Sequence, residues 1–277
     1  MASIQVNFFS ECLMRTVTIN AIVPVDKLVL PGMSAREKKP FKTLYLLHGI
    51  FGNYTDWLSG TRIQSWAEER DLAVIMPSGE NAFYVDNNIP GGKYGEFIGR
   101  ELVEFTRNLF PLSRKREDTF IAGLSMGGYG ALRNGLKYNE VFGALAGLSC
   151  AFILEGAPTS REDAPFPFAR KSYLQSVFGD LDTVLESDKN PKWIVKMLKE
   201  RNSPIPLIYL CCGTEDNLIC ASRDFHNFLS ETGVEHVYEE GPGIHDWIFW
   251  DTYIKKVLDW LPLENPQAGV GSGNVRV

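Results

Sequence analysis

Gly123-Leu124-Ser125-Met126-Gly127 has the G-x-S-x-G form in which a serine hydroxyl is presented on a sharp turn. The apolar run Thr119-Phe120-Ile121-Ala122 precedes it and Gly128-Tyr129-Gly130-Ala131-Leu132 follows it. That order reads as strand, turn, helix. Such a turn strains the serine backbone and crowds its neighbours, so small residues at 123 and 127 meet a steric demand. The serine oxygen then stands at a helix N-terminus, where amide N–H groups face a developing negative charge. The chemistry that suits this arrangement is nucleophilic attack by an activated hydroxyl.

A serine hydroxyl is a poor nucleophile near neutral pH, so it needs a base, and the base needs an orienting carboxylate. On an elbow of this kind the chain order is serine, acid, histidine. The sequence has four histidines, at 48, 226, 236 and 245. His48 precedes the serine. His226 lies in an amphipathic helix beside Phe225 and Phe228, and His236 in a short predicted strand. His245 stands in the loop Gly241-Pro242-Gly243-Ile244-His245-Asp246-Trp247, after the last predicted strand, and is the expected base. The acid should follow the preceding strand, in Gly213-Thr214-Glu215-Asp216-Asn217-Leu218. Glu215 and Asp216 both qualify by position, but adjacent residues point apart. Asp216 is the choice, being shorter and next to turn-forming Asn217. Asp246 is the second candidate, poorly placed for the Nδ1 of its own neighbour. For the oxyanion, one donor is the amide of Met126. The other is expected from His48-Gly49-Ile50-Phe51-Gly52-Asn53, with Ile50 as the amide and Gly49 and Gly52 letting the backbone turn inward.

The elements that must position these groups alternate. Ile4 to Phe9 and Thr16 to Val23 read as two β-rich runs, the second with a half-buried antiparallel pattern. Thr43-Leu44-Tyr45-Leu46-Leu47 is a continuous apolar run, suited to a strand covered on both faces. Helix is predicted over Gln64–Arg70, strand over Leu72–Met76. Helix is predicted over Glu96–Phe110, with Ile98, Leu102, Phe105 and Leu109 on one face. Then follow strand Phe120–Leu124, helix Gly127–Tyr138, strand Ala144–Leu148, strand Ile205–Cys212, helix Asp224–Glu231, strand Glu235–Glu239 and a closing helix Trp247–Leu261. Alternating β and α units of this kind imply a mostly parallel central sheet with helices on both faces. Residues 151–204 break the alternation with five prolines, at 158, 165, 167, 191 and 204. They read as an insertion after the sixth strand, over the carboxyl edge of the sheet, with a helix near Lys192–Lys199. The expected organisation is one domain over 1–262, an exposed turn over 31–40 and a flexible tail over 263–277.

Composition narrows the partners. The net charge is −6, from 28 basic and 34 acidic residues, which disfavours nucleic acid or an anionic membrane as the main partner. No segment approaches the ~20 apolar residues of a membrane span, and the N-terminus lacks the basic and apolar regions of a signal peptide. Five cysteines, an odd number, argue for reduced thiols and a cytoplasmic setting. No C-x-x-C pair or H-E-x-x-H is present, so no metal site is expected. A homo-oligomer is left open.

With these residues in hand, the chain resembles the esterase D-like branch of the α/β-hydrolases, and within it most closely the tributyrin esterases. The resemblance rests on Leu46-Leu47-His48-Gly49, Asn53, Trp57, the run Gly123 to Ala131, Gly213-Thr214-Glu215-Asp216 and Gly243-Ile244-His245-Asp246-Trp247. It implies an α/β-hydrolase fold and a cofactor-free Ser125–His245–Asp216 hydrolase acting on short acyl esters, acetyl to butyryl. Relatives in this branch include S-formylglutathione hydrolases, feruloyl and acetylxylan esterases and acyl transferases. S-formylglutathione hydrolases look like Ser-Gly where His48-Gly49 stands, with a cysteine just after the oxyanion residue, where this chain has Phe51-Gly52. Phe51, Trp57, Phe152 and Trp247 are the expected substrate contacts, bulky enough to narrow a pocket.

Overall fold

The computed structural model describes residues 1–28, 31 and 39–264. The strands are β1 (Ala2–Ser10), β2 (Arg15–Val23), β3 (Thr43–Leu47), β4 (Ala73–Pro77), β5 (Thr119–Leu124), β6 (Ala144–Leu148), β7 (Leu207–Gly213) and β8 (Val237–Gly241). They form one eight-stranded sheet in the order β1-β2-β4-β3-β5-β6-β7-β8. β1 pairs with β2, and β2 with β4, antiparallel. Every later pair is parallel. The helices are α1 (Asp56–Gly60), α2 (Ile63–Glu69), α3 (Tyr94–Glu96), α4 (Leu102–Leu109), α5 (Met126–Lys137), α6 (Lys171–Phe178), α7 (Pro191–Glu200), α8 (Ile219–Glu231) and α9 (Trp247–Trp260). The mostly parallel sheet with helices on both faces is the architecture that the sequence predicts.

The central strands are apolar on both faces because both are covered. All residues of β3, β4, β5 and β6 are buried. Alternation along a strand then divides them between two cores. Tyr45, Leu47 and Ile121 point toward α4, α5 and α8, into a core shared with the segment between β6 and β7. Leu44, Leu46, Phe120 and Leu124 point toward α1, α2 and α9. On α9 the predicted face is the buried one: Trp250, Ile254 and Val257 are at most 7% exposed.

The helix expected over Glu96–Phe110 differs in a way that matters for its face. A π-helical turn, Phe97–Glu101, separates α3 from α4. Its wider turn takes one more residue and rotates α4 relative to a regular helix. The buried positions become Ile98, Leu102, Val103 and Thr106, and Leu109 is 50% exposed. Other elements differ in their boundaries. α8 begins at Ile219 rather than Asp224, and β8 at Val237, leaving His236 just outside the strand. Between β6 and β7 stand two helices, α6 and α7; the sequence pattern, which predicts at least one helical stretch there, places only the second. α7 opens on Pro191, with the Asn190 side chain accepting from the Lys192 amide. The turn predicted over 31–40 and the tail predicted over 263–277 fall mostly outside the described residues.

Candidate active site

Ser125 sits between β5 and α5 with φ 54° and ψ −118°, a left-handed conformation that L-residues hold only under constraint. Backbone contacts supply the constraint. The Ser125 amide donates to Leu148 O at 2.8 Å, and its carbonyl accepts from the Ala151 and Tyr129 amides, each at 3.0 Å. A Cβ at position 123 would lie 2.3 Å from Gly127 O, and one at position 127 would lie 2.4 Å from Leu47 O. No side chain fits at either place, which is the steric demand read from the sequence.

Three side chains from separate strand ends meet here. The Ser125 Oγ lies 3.0 Å from His245 Nε2. The other ring nitrogen, Nδ1, lies 2.8 Å from Asp216 Oδ2. The remaining Asp216 oxygen accepts from the Leu218 amide at 2.8 Å. Burial alone would raise the Asp216 carboxyl, but the His245 N–H, the Leu218 amide and the Ser149 hydroxyl together hold it below the ordinary range. It is therefore an anion against the imidazole. The Trp250 ring stands edge-on to His245, with centroids 4.9 Å apart. The other carboxylates are spent elsewhere. Glu215 accepts from the Gly243 amide at 2.7 Å, and Asp246 caps α9 through the Phe249 amide at 3.0 Å.

The loop after β3 faces the same point. Among the described residues, neither the Ile50 nor the Met126 amide donates to another backbone group, and both residues line the cavity in front of Ser125. His48, whose part the sequence did not reveal, anchors this loop from behind. Its Nε2 accepts from the Gly79 amide at 2.8 Å, so the ring proton is on Nδ1, which donates to Gly49 O at 2.6 Å. Its carbonyl accepts from the Tyr84 hydroxyl at 2.9 Å. The residue after Ile50, Phe51, holds φ 67°, and its amide donates to Asn81 Oδ1 at 2.9 Å. The remaining two histidines lie together, one on α8 and one just before β8, His226 Nδ1 facing His236 Nε2 at 2.7 Å.

The cavity has a volume of about 940 Å³ and is lined by Ser125, Asp216, His245, Ile50 and Met126 below and, above, by part of the stretch 151–174 that leaves out Phe152. None of the four aromatics expected to contact substrate is among its lining residues. Trp57 is 1% exposed and donates from Nε1 to Leu47 O at 2.9 Å, a core role. Trp247 packs edge-on against Trp57 and Trp250, at 5.5 and 5.2 Å. Phe152 stacks on Phe225 at 4.5 Å. Phe51 is 69% exposed, and its ring lies edge-on to that of lining Phe168 at 5.1 Å. The lining aromatics are instead Phe83, Phe166 and Phe168, two of them in the aperiodic segment where no sequence signal marks them.

This sheet order and the strained serine at the end of β5 define an α/β-hydrolase. The chain belongs to the family described as "Putative esterase", whose model matches residues 25–261. An acetyl esterase of Caldicellulosiruptor saccharolyticus is 47% identical over 261 residues, covering 94% of this chain and 98% of that protein. Two solved structures from Staphylococcus aureus are also similar. The fluorophosphonate-binding serine hydrolase FphF is 31% identical with a TM-score of 0.82, covering 94% of this chain and 98% of that one. The S-formylglutathione hydrolase FrmB is 32% identical with a TM-score of 0.79, at the same coverage. The chain is a carboxylesterase.

Proposed function

We propose that the chain hydrolyses short acyl esters, acetyl to butyryl, by a Ser-His-Asp acyl-enzyme mechanism. The observation that carries this reading is the unbroken relay from Ser125 Oγ to His245 Nε2 at 3.0 Å and from Nδ1 to Asp216 Oδ2 at 2.8 Å. Ser125 Oγ attacks the ester carbonyl carbon as its proton passes to His245 Nε2. Asp216 holds the imidazole in the tautomer that can accept it and stabilises the cation formed. The amides of Ile50 and Met126 donate to the carbonyl oxygen as it becomes an anion. His245 then returns the proton to the departing alcohol oxygen. Water attacks the acyl-serine by the same route, releasing the acid and restoring the hydroxyl.

The acyl preference rests on the acetyl esterase relative. The alcohol side has room, since a cavity of about 940 Å³ far exceeds what a butyryl group fills. Arg161 is the one lysine or arginine among the described lining residues, and Asp163 already accepts from it at 3.0 and 2.9 Å. That leaves little to meet the two carboxylates of a glutathione leaving group, so an apolar alcohol fits better. S-formylglutathione hydrolysis is the second reading, carried by the likeness to FrmB, with acetylxylan and feruloyl esters and acyl transfer behind it. A cytoplasmic setting belongs to the same proposal and rests on five cysteines that are all unpaired. Among the described residues no helix is long and apolar enough to cross a membrane.

The test is Ser125→Ala. It should lose labelling by a fluorophosphonate and lower p-nitrophenyl acetate turnover by about 10⁴-fold or more. Near-wild-type turnover would remove Ser125 from the mechanism. Run beside it, wild-type rates on p-nitrophenyl acetate and butyrate, methyl ferulate, acetylated xylan and S-formylglutathione rank the substrate readings.

A further inference from the structure

The loop that carries the Ile50 amide is a tight turn with a bulky residue where glycine is usual. The Gly52 amide donates to Gly49 O at 3.3 Å, which makes Ile50 and Phe51 the two central residues of a four-residue turn. Of the two, Phe51 alone has a positive φ, 67°. That is the sign pattern of a type II turn, whose third position favours glycine. A phenylalanine there is strained, and the strain would ease if the Ile50–Phe51 peptide turned over to the type I form, with φ negative at both residues. The Phe51 amide donates to Asn81 Oδ1 at 2.9 Å, and a turned peptide would set its carbonyl oxygen against Oδ1 instead. The preceding peptide is held from behind, because Gly49 O also accepts from His48 Nδ1 at 2.6 Å. In a planar trans peptide the C=O and N–H point opposite ways. The Ile50 N–H is therefore directed away from His48, and Ile50 lines the cavity in front of Ser125. Asn81 is itself fixed. The Ala82 amide donates to Gly79 O at 3.2 Å, closing a turn around Asn81. The Gly79 amide donates to His48 Nε2 at 2.8 Å, and the Tyr54 amide to Ser78 Oγ at 3.1 Å. From α6, the Tyr173 hydroxyl donates to Asn81 O.

We propose that Asn81 is a positioning residue for the oxyanion donor: its side-chain oxygen locks the Gly49–Gly52 turn with Phe51 left-handed, and so keeps the Ile50 amide aimed at the reacting carbonyl. This rests on the reading of Ile50 as a donor above. Tyr173 braces the main chain of Asn81, so the segment above the cavity reaches the oxyanion through this one residue.

Asn81→Ala tests it by removing the acceptor. Acylation and deacylation both pass through an oxyanion, so both should slow. The kcat on p-nitrophenyl acetate should fall on the order of tenfold with KM little changed, a part of the roughly 10²–10³ that a whole donor is worth. The Ki of a short trifluoromethyl ketone, whose adduct on Ser125 Oγ carries an oxyanion, should rise by about the same factor. In a Phe51→Gly background the turn is free of strain, and the same substitution should cost less than about twofold. A kcat and Ki within about twofold of wild type would overturn the proposal, as would a full tenfold loss that persists in the Phe51→Gly background. Should Asn81→Ala not fold, Tyr173→Phe decides by the same readouts: a several-fold loss of kcat with a matching rise in Ki supports the proposal, and no change overturns it. Replacing Ile50 by its α-hydroxy acid analogue separates the two levels, since an ester oxygen then stands where the N–H was. An unchanged kcat there would sink the donor reading and the proposal with it. A large loss there, beside wild-type values in Asn81→Ala, would sink the proposal alone.

Discussion

Ser125 and Phe168 face one cavity but are held in place by different means. Ser125 is fixed by the chain itself. The registers Leu47 with Gly123, Leu124 with Leu148, and Leu148 with Cys211 bring the strand ends level, and backbone hydrogen bonds lock the turn between them. Phe168 lies in the segment between β6 and β7, which has few regular elements and is fastened by side chains. Arg133 on α5 is fully buried and donates from Nε to Asp188 O and from Nη2 to Asp188 Oδ2, both at 2.9 Å. The Tyr129 hydroxyl donates to Lys189 O and the Tyr173 hydroxyl to Asn81 O. The floor at Ser125 therefore carries reaction geometry that no single side chain can retune. The roof carries substrate-side geometry that one substitution can change.

The floor should fail hardest. In Gly127→Ala the new Cβ would lie 2.4 Å from Leu47 O and 2.5 Å from His48 O, both backbone atoms. We expect a loss of at least about 4 kcal/mol, read as a Tm lower by ~10 °C or more. An unchanged Tm would show that the floor can yield after all.

Breaking the roof's main fastening should be milder. Arg133→Met leaves the Asp188 carboxylate with Lys137 as its remaining ion-pair partner and 43% exposed to water, so the expected cost is about 1–3 kcal/mol. Turnover of p-nitrophenyl acetate should stay within roughly twofold, because no floor contact is touched. Burial would raise Asp188, but Arg133 and Lys137 outweigh it and hold the carboxyl below its ordinary range. A depressed carboxyl stabilises above the unfolded pKa of ~4 and loses that contribution as pH falls through the folded value. The Tm gap between wild type and Arg133→Met should therefore narrow below pH ~4. A constant gap would assign the loss to packing alone.

The smallest effect sharpens the contrast. Phe168 contacts Phe51 and Tyr173, at 5.1 and 4.7 Å between centroids, and none of the relay. Phe168→Ala should lower kcat/KM for p-nitrophenyl butyrate relative to acetate by roughly fivefold. Equal losses on both esters would make the ring a structural prop rather than a wall.

The same division explains what the sequence could tell. Floor residues were legible because their constraints are local or topological. Small residues flank Ser125 for steric reasons, the strand runs are apolar because both faces are covered, and His245 is the one histidine on a loop after the last strand. The roof has no periodicity to read, so α6 and the lining phenylalanines stayed hidden. The aromatics misled for a related reason. A buried tryptophan and a pocket tryptophan have the same composition and flanks, and only the Trp57 bond to Leu47 O shows which this one is. Asn81 was invisible for want of any local pattern: its partners, Phe51 and Tyr173, lie far along the chain. The π turn, which carries Leu109 out to solvent, likewise depends on packing and not on a motif.

His48 has a consequence for how the enzyme responds to acid. Burial lowers its basicity, and both ring nitrogens are already committed, one giving a proton to Gly49 and the other taking the Gly79 amide. A second proton would have to evict that amide. The cradle for the oxyanion should therefore keep its shape through mild acidification, so activity lost there should return in full on neutralisation, with no refolding needed.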